Sequence, residues 1–153
     1  MTKDFDKMVD ELNERIMEDM KKIYSEKVID RFHNPRNLGR IDEPEGYGKI
    51  TGPCGDTMEL FLRVIAGKVA EANFMTDGCG TTIACGSMVT ELVKGKSIND
   101  AGEITRDVIL ENLGGLPESE QHCALLAANT LREALKDYRL LEREPWKRAY
   151  RKI

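Results

Sequence analysis

Three cysteines stand in settings suited to metal or sulfur chemistry. Cys54 lies in Gly52-Pro53-Cys54-Gly55-Asp56, Cys79 in Gly78-Cys79-Gly80, and Cys123 follows Pro117 by six residues. Flanking glycines let the backbone approach a bound group and leave amide hydrogens free to point at sulfur. Helix N-termini favour negative charge, so Cys79 foremost, and Cys123 after it, are expected to have depressed thiol pKa values and real thiolate populations. Thiolates are the ligands that soft and borderline metals take. Taken one at a time, each cysteine also reads as a small buried hydrophobe. The spacings of 25 and 44 residues are not the Cys-x-x-Cys of zinc ribbons or ferredoxins.

The elements that must bring these sites together are legible as period and punctuation. Phe5, Val9, Leu12, Ile16, Met20 and Ile23 form one apolar stripe on a helix over residues 3–23. A second short helix, Ser25 to Phe32, takes Ser25 as N-cap and stops at His33-Asn34-Pro35, because the residue before proline avoids the α region. Residues 37–48, with their glycines, Pro44 and acidic side chains, read as an irregular loop. Strands follow at 49–51, 58–65 and 69–76, the last two joined through Ala66-Gly67-Lys68. Met58, Leu60, Leu62 and Val64 alternate with Glu59, Phe61 and Arg63, which predicts one buried and one largely wet face. Helical spacing returns after Gly80 and runs to Lys94-Gly95-Lys96; Arg106–Leu113 is a short helix closed by Gly114-Gly115. Pro117 is expected to open a long helix striped by Ala124, Leu125, Ala127, Ala128, Leu131, Leu135 and Tyr138, with a last turn near Trp146 and Tyr150. The expected class is α+β: a small three-stranded antiparallel sheet with helices packed on one face.

Composition bounds the function. With 153 residues, 41% hydrophobic and 33% charged, the chain is one ordinary domain with a real core. A net charge of −4 and the lack of a basic stripe argue against nucleic-acid binding. The short basic tail Lys147–Lys152 reads as a solvated, partly frayed end. Charges at Lys3, Asp4 and Asp6 do not suit a signal peptide, and no apolar run approaches the roughly 18 residues that span a bilayer. A cytoplasmic, non-membrane protein, or in a eukaryote one imported with its targeting piece removed, is the expectation, and its four cysteines are then better suited to metal or sulfur than to disulfides.

Five segments in register narrow the reading. Tyr24 to Gly39, Cys54-Gly55-Asp56-Thr57-Met58-Glu59-Leu60, Gly78-Cys79-Gly80-Thr81-Thr82-Ile83-Ala84, Thr90-Glu91-Leu92-Val93-Lys94-Gly95-Lys96, and Leu116-Pro117 through His122-Cys123-Ala124-Leu125-Leu126-Ala127 resemble iron–sulfur cluster assembly scaffolds of the IscU/NifU N-terminal type. The resemblance runs from Tyr24 to about Tyr138, which leaves residues 1–23 as an added amphipathic helix before a single scaffold domain over 24–153. It implies a SufE/NifU-like fold and a non-enzymatic carrier. On it, a [2Fe–2S] cluster is built from Fe2+ and from sulfur delivered by a cysteine desulfurase, then passed to apo iron–sulfur acceptor proteins. It further implies that Cys54, Cys79 and Cys123 ligate the cluster, with Asp56 or His122 completing the set. Cys123 is the implied persulfide acceptor, and Asp56 the residue that makes the cluster labile. A carboxylate oxygen or imidazole nitrogen is a more exchangeable ligand to iron than a fourth thiolate, which suits a transient cluster. As bland alternatives, Asp56 is a turn residue bonding its own backbone, His122 a surface residue at a helix start, and His33 structural.

Three departures from the family pattern stand out. Glu118-Ser119-Glu120-Gln121 is acidic where many members carry Pro-Val-Lys and an apolar residue, which argues against release by a dedicated heat-shock chaperone and puts Glu120 in place of a lysine. Cys85 stands where serine is common; six residues past Cys79 on a helix, it reads as a packing residue. The added helix is expected to cover the sheet or to build a homodimer contact, because an apolar stripe needs burial. Rival readings remain: a structural or sulfur-transferring zinc protein using the same Cys54, Cys79, Cys123 and His122 or Asp56, with Zn2+ in purified material; a SufU-like transferase, whose usual insertion before the last cysteine is not evident; and a thiol enzyme pairing Cys123 with His122, disfavoured because adjacent helical side chains diverge by about 100°.

Overall fold

The computed structural model describes residues 2–151 and 153. Strands β1 (Gly46–Thr51), β2 (Thr57–Ile65) and β3 (Lys68–Thr76) form an antiparallel meander in the order β1-β2-β3. The β2–β3 link is a two-residue turn with Ala66 at φ 54° and Gly67 at φ 75°, both in the left-handed region that a tight hairpin of matching twist requires. The helices are α1 (Thr2–Ile23), α2 (Glu26–His33), α3 (Gly80–Val93), α4 (Ile98–Ala101), α5 (Arg106–Leu113) and α6 (His122–Arg143), with 3-10 turns at Glu118–Glu120 and Pro145–Tyr150. Among the described residues no helix is long and apolar enough to cross a membrane.

Local chemistry explains the helix ends. Ser25 caps α2, accepting from the Val28 amide at 3.2 Å, and its hydroxyl also donates to the Leu113 carbonyl. One side chain thus ties the start of α2 to the end of α5. Gly114 closes α5 at φ 81°, a conformation that suits glycine there.

The core lies between the sheet and two helices. Met58, Leu60 and Leu62 are fully buried on the face packed by α3 and α6, against Ala84, Val89, Ala127 and Leu131. α3 is interior on nearly every side, with ten of its fourteen residues buried. This places the start of α3, where Cys79 sits, on a helix that cannot easily shift, because close-packed interiors resist displacement.

Several expectations need correction. β1 begins at Gly46, inside the stretch read as loop. Gly46 and Gly48 are strand residues that let α6 approach: a Cβ on Gly46 would lie 2.7 Å from the Ala134 carbonyl, and one on Gly48 would strike the Thr130 carbonyl. The second face of the sheet is not wet at its centre. Phe61 is fully buried there, its ring 5.3 Å from that of Tyr47 and 6.0 Å from the Arg40 guanidinium. Pro117 does not open the long helix: its ψ of 144° is extended, a 3-10 turn follows, and α6 starts at His122. The basic tail is solvated as expected, with residues 145–150 exposed, but it is pinned rather than frayed at Arg151, which donates to Asp137 at 2.6 Å and to the Pro44 carbonyl; Lys152 lies outside the described residues. α1 does not cover the sheet. It has no buried residue, and Phe5, Met8 and Leu12 are 63%, 63% and 57% exposed; its main packing is against α2.

Candidate metal centre

Three chain segments meet at one end of the sheet. The β1–β2 turn carries Cys54 and Asp56; it is closed by the Gly52 amide donating to the Asp56 carbonyl at 2.8 Å and the Gly55 amide to the Gly52 carbonyl at 3.0 Å. Gly55 at φ 85° makes that reversal without strain and leaves Cys54 exposed at the tip. Cys79 occupies the N-cap position of α3 with extended φ and ψ of −74° and −179°. His122 and Cys123 are the first two residues of α6.

Distances show how the segments engage. Cys54 Sγ lies 2.9 Å from His122 Nε2, and the same nitrogen lies 3.6 Å from Cys123 Sγ. The half-buried imidazole therefore reaches both sulfurs, and the divergence expected of neighbouring helical side chains does not keep it from Cys123. At the centre stands Thr82, wholly buried, whose Oγ1 is 3.3 Å from Asp56 Oδ2, 3.4 Å from Cys123 Sγ and 3.8 Å from Cys79 Sγ. Among the described residues no three Cys, His, Asp or Glu side chains converge into a closed metal cage. The hydroxyl stands between them instead.

The thiols are not equivalent. Burial pushes Cys79 up, but the amides of Thr82 and Thr81 and the Thr82 hydroxyl donate to its sulfur and together hold it below the ordinary thiol value. That is the behaviour expected of a cysteine at a helix start. Cys123 behaves oppositely: burial raises it to about 11, against a smaller lowering by the Thr82 hydroxyl. The expected depressed value at Cys123 is thus corrected, because a residue only 2% exposed loses more by desolvation of the thiolate than the Thr82 hydrogen bond returns. Cys85 is buried within α3, and burial drives its thiol far up; the charges of Cys123, Cys79 and Glu120 act in the same direction.

A cleft of about 220 Å³ opens beside Cys79, lined by Met20, Tyr24, Val28, Phe32 and Glu120. Glu120 accepts from the Tyr24 hydroxyl at 2.6 Å and from Thr81 Oγ1 at 3.2 Å, and this bond to Glu120 is the main reason the Tyr24 phenol is raised. The carboxylate that replaces a lysine is therefore engaged with the start of α3. Sequence reading named neither Thr82 nor Tyr24 as part of the site. The signal for Thr82 was its place three residues after Cys79, which on a helix puts both on one face.

The chain matches the model of the NifU-like N terminal domain over residues 23–144. It is 47% identical over 117 residues, covering 76% of each chain, to the protein of Archaeoglobus fulgidus named iron–sulfur cluster assembly scaffold protein IscU 1. To the Haemophilus influenzae protein named iron–sulfur cluster assembly scaffold protein IscU it is 45% identical over 121 residues, 76% of this chain and 95% of that one. The crystal structure of a nitrogen-fixing NifU-like protein (N-terminal) from Brucella abortus superposes with a TM-score of 0.62 at 18% identity, covering 79% of this chain and 97% of that one, a likeness of fold alone.

Proposed function

The chain belongs to the NifU-like N-terminal domain family, and from that premise we propose that it is a scaffold on which a labile [2Fe–2S] cluster is assembled and then transferred to apo-proteins. The observation that supports the reading is that Asp56, Cys79 and Cys123, from three separate segments, meet around one buried hydroxyl, that of Thr82, with Cys54 joined to Cys123 through His122. A resident zinc centre would call for a closed tetrahedral ligand set. The zinc reading finds no support in the relatives, which carry scaffold names.

In this reading Cys54, Cys79 and Cys123 supply thiolates, and Asp56 or His122 supplies the weaker fourth donor. The cluster is cargo, and the chain is a carrier rather than an enzyme. Sulfur arrives from the persulfide of a cysteine desulfurase at Cys123. The outer sulfur forms a bond to Cys123 Sγ as the donor's S–S bond breaks, and the Cys123 thiol proton ends on the donor's thiol. Because the resting Cys123 is buried and protonated, the step needs the start of α6 to expose it. The core scaffold is residues 24–153, residues 1–23 are an added helix, and the protein works in the cytoplasm. The acidic Glu118-Ser119-Glu120-Gln121 segment argues against release by a dedicated heat-shock chaperone.

Anaerobic reconstitution with ferrous iron and sulfide tests the reading. Coloured protein with about two iron and two acid-labile sulfide per occupied site is expected. Zinc retention with no uptake of sulfide would overturn it.

The exposed part of the α1 stripe, Phe5, Val9, Leu12 and Ile16, has its partner in a second copy of the chain, since the single chain leaves these side chains uncovered. Deletion of residues 1–20 is expected to leave a folded, cluster-binding core with an unchanged melting temperature at low concentration. Its size-exclusion profile should move to a smaller assembly than the lost mass explains. A profile that tracks mass alone would remove the homodimer.

A further inference from the structure

We infer that Thr82 is the positioning residue of this centre: its hydroxyl holds Asp56 and Cys123 at the places they occupy before cargo arrives. The inference rests on the metal-centre reading above and adds to it a residue that carries no ligand atom of its own.

Three observations carry it. Thr82 Oγ1 lies 3.3 Å from Asp56 Oδ2, 3.4 Å from Cys123 Sγ and 3.8 Å from Cys79 Sγ, so one atom touches a side chain from each segment of the site. The residue is fully buried on α3, the helix most enclosed by core, so its hydroxyl cannot turn to solvent and its backbone cannot move away. Finally, the chain around it is shaped for its side chain. A Cβ on Gly78 would stand 2.7 Å from Thr82 Cβ and 2.8 Å from its Oγ1, so the glycine before Cys79 makes room for the threonine as well as for any bound group.

A hydroxyl has one proton and two lone pairs. It can donate to Asp56, to Cys123 or, at the longer distance of 3.8 Å, to Cys79, but to only one of them at a time, and a thiol it does not serve can only be its donor or be released. Thr82 thus links the candidate exchangeable ligand, Asp56, to the buried thiol, Cys123. Partners of this kind, one step behind the metal ligands, orient those ligands and set their affinity.

The test separates the hydroxyl from the methyl. In full-length protein, Thr82→Val keeps shape and removes the hydroxyl, whereas Thr82→Ser keeps the hydroxyl and leaves a gap. Cobalt(II) is titrated anaerobically into each, read by its sulfur-to-metal charge-transfer band, with melting temperature recorded alongside. A positioning role predicts that Thr82→Val weakens cobalt binding about 10–100-fold, as loss of an outer-shell partner does. The band per bound cobalt is kept, and Thr82→Ser stays near the unmodified protein. A packing role predicts the reverse order, and that order, or equal affinities for all three, overturns the inference while leaving the metal centre intact. Should the valine variant not fold, Thr82→Ser against Thr82→Ala repeats the comparison of hydroxyl against none. Failure of the unmodified protein to bind cobalt through sulfur overturns the metal-centre reading itself.

Discussion

Each of Cys54→Ser, Cys79→Ser and Cys123→Ser is expected to lose the reconstituted cluster almost completely, while Cys85→Ser keeps it. Serine is nearly the same size as cysteine, so the packing around each position survives. The donor changes from a soft thiolate to a hard alcohol that does not ionise near neutral pH. At Cys79 the loss is most direct, because the amides of Thr81 and Thr82 are aimed at a thiolate already favoured by them. At Cys123 a serine hydroxyl would bond Thr82 or His122 and remain there, satisfied and inert. Cys85 sits in apolar surroundings inside α3, and a buried hydroxyl without a partner costs roughly 1–3 kcal/mol. That variant should melt earlier and still colour. Iron, sulfide and visible absorbance measured after anaerobic desalting decide the matter. If Cys85→Ser loses the colour as fully as the other three, while remaining folded, the assignment of ligands is wrong.

Asp56→Ala should slow transfer of the cluster to an apo-ferredoxin by about tenfold, the equivalent of roughly 1.4 kcal/mol in the barrier. A carboxylate bonds iron less covalently than sulfur does and dissociates more readily, opening one iron to an incoming thiolate. Asp56 is half-buried at the edge of the centre, on the exposed β1–β2 turn, where an acceptor's thiol can reach. Without it the position falls to His122, already 2.9 Å from Cys54 Sγ, or to water. The cluster should then persist longer in air, while sulfur acceptance at Cys123 continues. Transfer rates of the variant and the unmodified protein, at equal thiol concentration, provide the comparison. A variant that transfers as fast or faster would make Asp56 a turn residue and shift lability to His122 or to motion of α6. The two outcomes also separate from the Thr82 inference, because removing Asp56 leaves the Thr82–Cys123 contact in place.

What the amino-acid sequence determined was the set of elements and the chemistry of the side chains. Period and punctuation placed α2, α3, α5 and the β2–β3 hairpin close to where they lie, since caps such as Ser25 and stops such as Gly114 act within a few residues of themselves. The flanking glycines likewise marked Cys54 and Cys79 from local pattern alone. Glycine was also where local reading failed: Gly46 and Gly48 look like loop signals, and only the passage of α6 over β1 explains them as strand. Phe61 looked like part of a wet face until Arg40 and Tyr47 were seen to cover it. Pairings such as Cys54 with His122, 68 residues apart, and Thr82 with Cys123, 41 apart, leave no local trace, because they arise from the packing of α6 against the sheet and α3. The same packing decided the state of the thiols. Both Cys79 and Cys123 lie at helix starts, yet only exposed Cys79 receives backbone amides that favour its thiolate; at buried Cys123 the cost of burying charge is larger than the Thr82 hydrogen bond returns. Burial is a property of the assembled chain.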